Sequence, residues 1–194
     1  MYRMAGRRVK PGEYTIRLTA GGQVLSTQVK VLQDPRIEAP AEDFDRQDTM
    51  LASIENDVAD INRRATQIRN LRSQLAGTLE KTSDPEIVAV GHALDSKLAA
   101  MENLIVATAP VEGQRFVTEP PRLVDVFKFQ HTNVNQVQPE ITDGDRAVFG
   151  EISKQWAIDK AQIVMLVGTQ LDTLNRLLLG KKLPAINPLP DSGS

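Results

Sequence analysis

Residues 41–79 read AEDFDRQDTMLASIENDVADINRRATQIRNLRSQLAGTL, and their periodicity decides the fold. Phe44, Leu51, Ile54, Val58, Ile61, Ala65, Ile68, Leu75 and Leu79 recur in alternating steps of three and four, with Gln47 and Arg72 as polar members of the stripe. Such a heptad stripe predicts one long amphipathic helix. Roughly 38 residues at 1.5 Å each would span about 57 Å. Glu42, Asp43 and Asp45 fall in the first turn, where carboxylates complement the helix dipole.

Downstream, the same period returns. Ser83-Asp84-Pro85-Glu86 is a helix-start signal, and Ile87, Gly91, Leu94, Leu98, Met101 and Ile105 carry an apolar stripe to about Thr108. Residues 109–121 are rich in Pro, Gly and polar side chains and predict a loop. A shorter third helix is expected from about Pro121 to Val137, with Leu123, Phe127, Val134 and Val137 inward. Thr142 or Asp143 caps a last helix over roughly 143–179, stopped by Gly180. Its apolar face is Phe149, Ile152, Trp156, Ile163, Leu166, Val167, Leu171, Leu174, Leu177 and Leu178. Residues 187–194 read as a disordered tail. With short connections assumed, the economical arrangement is an up-down-up-down four-helix bundle whose first and last helices are the long ones.

Upstream, the period is two. In residues 13–32, Tyr14, Ile16 and Leu18 alternate with polar neighbours, and Leu25, Val29 and Val31 do so on the return. Gly21-Gly22 supplies the positive φ of a tight turn, and Pro11-Gly12 sets a turn before the first strand. A lone two-stranded hairpin is marginal in water, so its apolar face calls for a partner. About ten residues precede it, too few to complete a sandwich, which suggests that the chain starts inside a β-domain. The organisation expected is therefore 1–36 for the closing hairpin, 37–186 for the helical bundle and 187–194 for the tail.

Composition removes several function classes. The chain has 194 residues, 41% hydrophobic and 25% charged, with a formal net charge of −2, a balance unlike that of a general nucleic-acid binder. Aromatic residues make up 4%, too few for a base-stacking or sugar-binding platform. There is no cysteine, which excludes thiol catalysis, disulfides and Cys-ligated zinc. No apolar run approaches the roughly 20 residues of a membrane-spanning helix, and the residues after Met1 lack the apolar core of a secretory signal.

No catalytic, cofactor-binding or metal-ligating constellation emerges. His92 and His131, the two histidines, lie on different helices without paired-ligand spacing, and surface or rim placement is expected for both. Glu42, Asp43, Asp45 and Asp48 are dense, but they open a helix and lack calcium-loop spacing. Gly21-Gly22 is no phosphate loop, and Gly144 between Asp143 and Asp145 reads as a helix entry. Arg63, Arg64, Arg69 and Arg72 share a helix with Glu55, Asp57 and Asp60, which predicts a salt-bridged surface. Ser26 and Ser53 have no nucleophile-elbow context. Trp156, the one candidate anchor for a ligand or interface, occupies an inward position and reads as core.

The run Val9-Lys10-Pro11-Gly12-Glu13-Tyr14-Thr15-Ile16-Arg17-Leu18, then Gly21-Gly22, then Val29-Lys30-Val31-Leu32-Gln33-Asp34-Pro35-Arg36, resembles a junction in large bacterial β-propeller proteins. These are the sortilin-like or neuraminidase-repeat "glycosyl hydrolases". Leu171–Leu178 with Leu183-Pro184-Ala185-Ile186 is similar to the close of their C-terminal helical region, so the resemblance runs over residues 9–186. It implies that the hairpin closes a small immunoglobulin-like or fibronectin-like sandwich following the propeller, and that the helices form an accessory region. The propeller is absent here, so any glycosidase activity of such a parent maps onto no residue of this chain. The resemblance also implies an exported, periplasmic or extracellular parent. The expected function is a non-catalytic accessory module contacting a protein partner or the propeller. The alternative is a free-standing helical adaptor that oligomerises through its heptad helices. A third possibility makes the chain part of a hydrolase whose catalytic residues lie upstream.

Overall fold

The structure is a computed structural model that describes residues 4–108 and 120–188. Residues 109–119 of the expected loop and 189–194 of the expected tail lie outside the described residues. Two strands come first, β1 (Gly12–Ala20) and β2 (Gln23–Val31), paired antiparallel in one two-stranded sheet. The helices follow: α1 (Ala41–Leu79), α2 (Pro85–Ile105), α3 (Leu123–Val134), α4 (Asp143–Met165) and α5 (Leu171–Gly180), the last two joined through a π-helical turn at Leu166–Gln170. The chain is mainly helical, and the described residues form four helical rods after an N-terminal hairpin.

Helix ends follow local chemistry. Asp84 caps α2 by accepting from the amides of Glu86 at 3.1 Å and Ile87 at 3.3 Å, with Pro85 pre-shaped for the first turn. Thr142 and Asp145 form a reciprocal capping box at the start of α4. At the far end of α3, the buried Gln47 amide of α1 donates to the carbonyls of Val134 at 2.8 Å and Gln136 at 2.9 Å. This polar member of the α1 stripe thus ties α1 to the carbonyls at and just past the end of α3.

The helical packing differs from an alternating bundle. Gly91 of α2 lies against Leu79, and Glu102 lies against Arg69 and Arg72, so α2 runs antiparallel to the second half of α1. On the first half, His131 of α3 meets Glu55 while Val134 meets Gln47, so α3 is antiparallel to α1 as well. Ser153 faces Asp57, Lys160 faces Asp60 and Asn187 meets Gln74, which sets α4 and α5 parallel to α1. Three columns result: α1, then α2 and α3 in line, then α4 and α5. α2 and α3 thus run in the same direction along α1, whereas an alternating arrangement reverses direction between successive helices.

The core runs through all three columns, from Leu51 and Phe127 at one end to Leu75, Leu174 and Ile186 at the other. Trp156 is 3% exposed, as its position in the stripe predicts. Leu71 is buried although it lies off the heptad line, because α1 is flanked by two columns and buries a wider arc than a coiled-coil seam. The last rod is not the uninterrupted helix expected. Its buried residues advance by three or four from Trp156 to Leu166, then by five from Leu166 to Leu171. A π turn absorbs one extra residue, so Leu171, Leu174 and Leu178 return to the core face.

Candidate functional site: the exposed hairpin

Gly21 and Gly22 have φ of +56° and +77°, the backbone signs of the tight turn that suits a two-residue hairpin. The register that follows is continuous from Ala20↔Gln23 to Gly12↔Val31. It sets Tyr14, Ile16 and Leu18 on one face with Leu25, Thr27, Val29 and Val31, and Glu13, Thr15, Arg17 and Thr19 on the other with Val24, Ser26, Gln28 and Lys30.

Among the described residues, no helix packs on either face of this sheet. Ile16 is 55% exposed, Leu18 59% and Leu25 63%, whereas Tyr14, Val29 and Val31 near the base are partly covered. An apolar sheet face left open over most of its length is unusual in a chain with a core of this size, and such faces mark interaction surfaces.

The base is held by polar links. The Tyr14 hydroxyl donates to the carbonyl of Lys10 at 2.7 Å, and the Lys10 ammonium pairs with Asp45. Arg7 pairs with Asp48 at 3.3 Å and approaches Glu55 at 3.6 Å. Asn135, just past α3, accepts from the Arg8 amide at 2.9 Å and donates to the Gly6 carbonyl at 3.2 Å. On the return side, the Gln33 side chain donates to the carbonyl of Ile37 at 2.7 Å. Residues 4–10 therefore lie as a strap between α1 and α3. Two members of the acidic group at the start of α1, Asp45 and Asp48, hold that strap, while Asp43 pairs with Arg46. Sequence reasoning found the acidic group but not its use, because nothing local announces a pairing across some forty residues.

The remaining candidates fall apart from one another. His92 is exposed on α2, in an open groove of about 430 Å³ lined also by Arg72, Leu75, Leu79, Glu80 and Asp95. His131 departs from the surface placement expected: it is 1% exposed, with Nε2 3.3 Å from Glu55 Oε1, because α3 turns that side of the helix onto α1. Arg72, whose guanidinium bonds Asp95 at 2.9 Å and Glu102 at 3.0 Å, is engaged within the groove wall. Arg69 reaches the same buried Glu102 at 2.6 Å. The arginine-rich side of α1 is thus partly an inter-helix ion network and not only a solvated face.

Between α1 and α4, burial pushes the Asp57 carboxyl up, against a hydrogen bond from Ser153. Burial pushes Asp60 up too, but bonds from Lys160 and Arg63 outweigh it and hold that carboxyl below the usual range. Asp159 is 2% exposed, with Oδ1 taking a bond from Gln155 at 2.9 Å and Oδ2 without a hydrogen-bond partner; burial raises it. Asp143 pairs with Arg146, Gly144 sits in the first turn of α4, Ser53 bonds back to Thr49, and Ser26 is exposed on the hairpin. Among the described residues, no group of three or more acidic, His or Cys side chains is placed to hold a metal ion. No helix there is long and apolar enough to cross a membrane.

No protein-family model, curated protein or solved structure matches this chain significantly.

Proposed function

We propose that the chain is a non-catalytic accessory module that presents its hairpin to a β-structured neighbour, and that this neighbour belongs to a larger β-propeller protein. The observation that carries the reading is the open apolar face of Ile16, Leu18 and Leu25, fixed at its base by the strap yet covered by none of the helices α1–α5. A hairpin so placed suits the closing pair of a small immunoglobulin-like or fibronectin-like sandwich, whose second sheet would cover that face. The resemblance of residues 9–36 to the propeller-associated junction supplies the context, including an exported parent. The helical columns are then a support that holds the hairpin at one end.

The alternative of an adaptor that oligomerises through its heptad helices draws less support. The α1 stripe from Leu51 to Leu75 is already buried against the chain's own helices and is not open to a partner.

Two measurements test the proposal. In the chain by itself, amides of residues 13–32 should exchange with solvent far faster than those of α1 and α4. The gene sequence immediately upstream of codon 1 should continue in frame into propeller repeats, and adding the intervening β-segment should slow exchange across the hairpin. Hairpin amides as protected as the helical ones in a monomer, or an upstream promoter in place of an open frame, would overturn the reading.

A further inference from the structure

The free edge of β1 carries a charge pattern that is complementary to itself. From Glu13 to Arg17 the strand reads Glu-Tyr-Thr-Ile-Arg, with Thr15 at its centre. Among the described residues, the backbone of β1 is hydrogen-bonded to β2 alone, so its outer edge is unpaired. Neither strand contains a proline, and the register has no bulge, two of the devices by which edge strands avoid other chains. Glu13, Thr15 and Arg17 are all exposed.

We propose that this edge pairs with the same edge of a second copy, antiparallel about Thr15, to build a four-stranded sheet with two-fold symmetry. In that register Glu13 of each copy stands opposite Arg17 of the other, Tyr14 opposite Ile16, and Thr15 opposite Thr15. Opposite charges, aromatic with β-branched, and Thr with Thr are the favourable cross-strand pairs of antiparallel sheets. Within each hairpin Glu13 already faces Lys30, so the polar side of the enlarged sheet runs Lys30, Glu13, then Arg17 and Ser26 of the second copy, with charges alternating in sign. The opposite side joins the two apolar faces into one. An isologous contact of this kind closes on itself and stops at two copies. The edge of β2 offers no equivalent, since Lys30 is its only charged residue. The inference concerns the strand edge, not the face, and does not rest on the function proposed above. One strand pairing buries less than a standard interface, so the dimer is a weak, transient one.

The absence of cysteine gives a direct test. Residues directly opposite in antiparallel strands have Cα atoms about 4.5–5.5 Å apart, within disulfide range. In the full chain, Thr15→Cys should therefore oxidise to a covalent dimer at least about tenfold faster than Thr19→Cys on the same strand face, which has no counterpart opposite itself in this register. Adding Arg17→Glu to Thr15→Cys sets Glu against Glu and should abolish the advantage, as should adding Glu13→Arg. An equimolar mixture of those two double variants pairs every Glu with an Arg and should restore it, as a heterodimer. Far-UV circular dichroism confirms that the helices are intact in each variant. A Thr15→Cys rate no faster than that of Thr19→Cys, or one indifferent to Arg17→Glu, or a mixture no faster than its components, would overturn the proposal.

Discussion

Removing Thr169 from the π turn should leave the protein about as stable as before. The buried stripe of the last rod steps by five from Leu166 to Leu171, and the π turn exists to absorb that step. Deleting the exposed Thr169 makes the step four, which an ordinary α-helix accommodates with Leu171, Leu174 and Leu178 still inward. The residual cost is a shift of α5 by about one residue rise, 1.5 Å, which the segment after Gly180 can take up. The informative control is deletion of Thr173, also exposed but inside α5. That deletion rotates every later residue by about 100°. It withdraws Leu174 and Leu178, each 0% exposed, from the core. At roughly 1.5–3 kcal/mol for each fully buried leucine, the loss is about 3–6 kcal/mol. The Thr169 deletion should lie within about 1 kcal/mol of the parent chain, the scale of small local adjustments. Urea unfolding followed by circular dichroism and Trp156 fluorescence measures both. Equal damage from the two deletions would refute the account of the π turn as a register correction.

Two further outcomes follow from the interior. Trp156→Ala should cost on the order of 3–5 kcal/mol, and Trp156 in the parent chain should emit at a short, buried wavelength; an unchanged unfolding midpoint would place that side chain elsewhere. Asp159→Asn should raise stability at neutral pH. A carboxyl whose folded pKa is raised by burial penalises the native state when ionised, and the penalty fades as pH falls through that raised value. The gain measured by denaturant unfolding should therefore shrink on acidification, and a gain that is flat or grows toward low pH would show that burial of charge is not its source.

What the sequence made legible was local. The hairpin follows from Gly21-Gly22 and the alternation around Ile16, and the observed strands fall within a residue of the expected span. The α1 stripe likewise survives almost intact from Leu51 to Leu75. The five-residue step at Leu166 was present too, but Val167 beside it gave the stripe a false continuity. The column arrangement was hidden for a different reason: periodicity gives the face of a helix and not the direction of its neighbour. Two antiparallel helices in line against α1 have the same pattern as two that alternate. The strap was equally invisible, since nothing near Arg7, Arg8 and Lys10 in sequence shows that Asp48, Asp45 and Asn135 meet the two side chains and the Arg8 amide. His131 shows the same limit, because only the placement of α3 on α1 explains why an imidazole should be buried opposite Glu55.

The uninterrupted α1 has a metric consequence. Its 39 residues extend about 58 Å, with the hairpin rooted beside its first turns and the junction of α2 and α5 at its far end. Any partner seated on the hairpin would thereby be held nearly the width of two small domains from the opposite pole. Because one uninterrupted helix spans that length, with its middle from Leu51 to Leu75 in a continuous core, the separation is set by the count of helical residues and not by the slack of a linker.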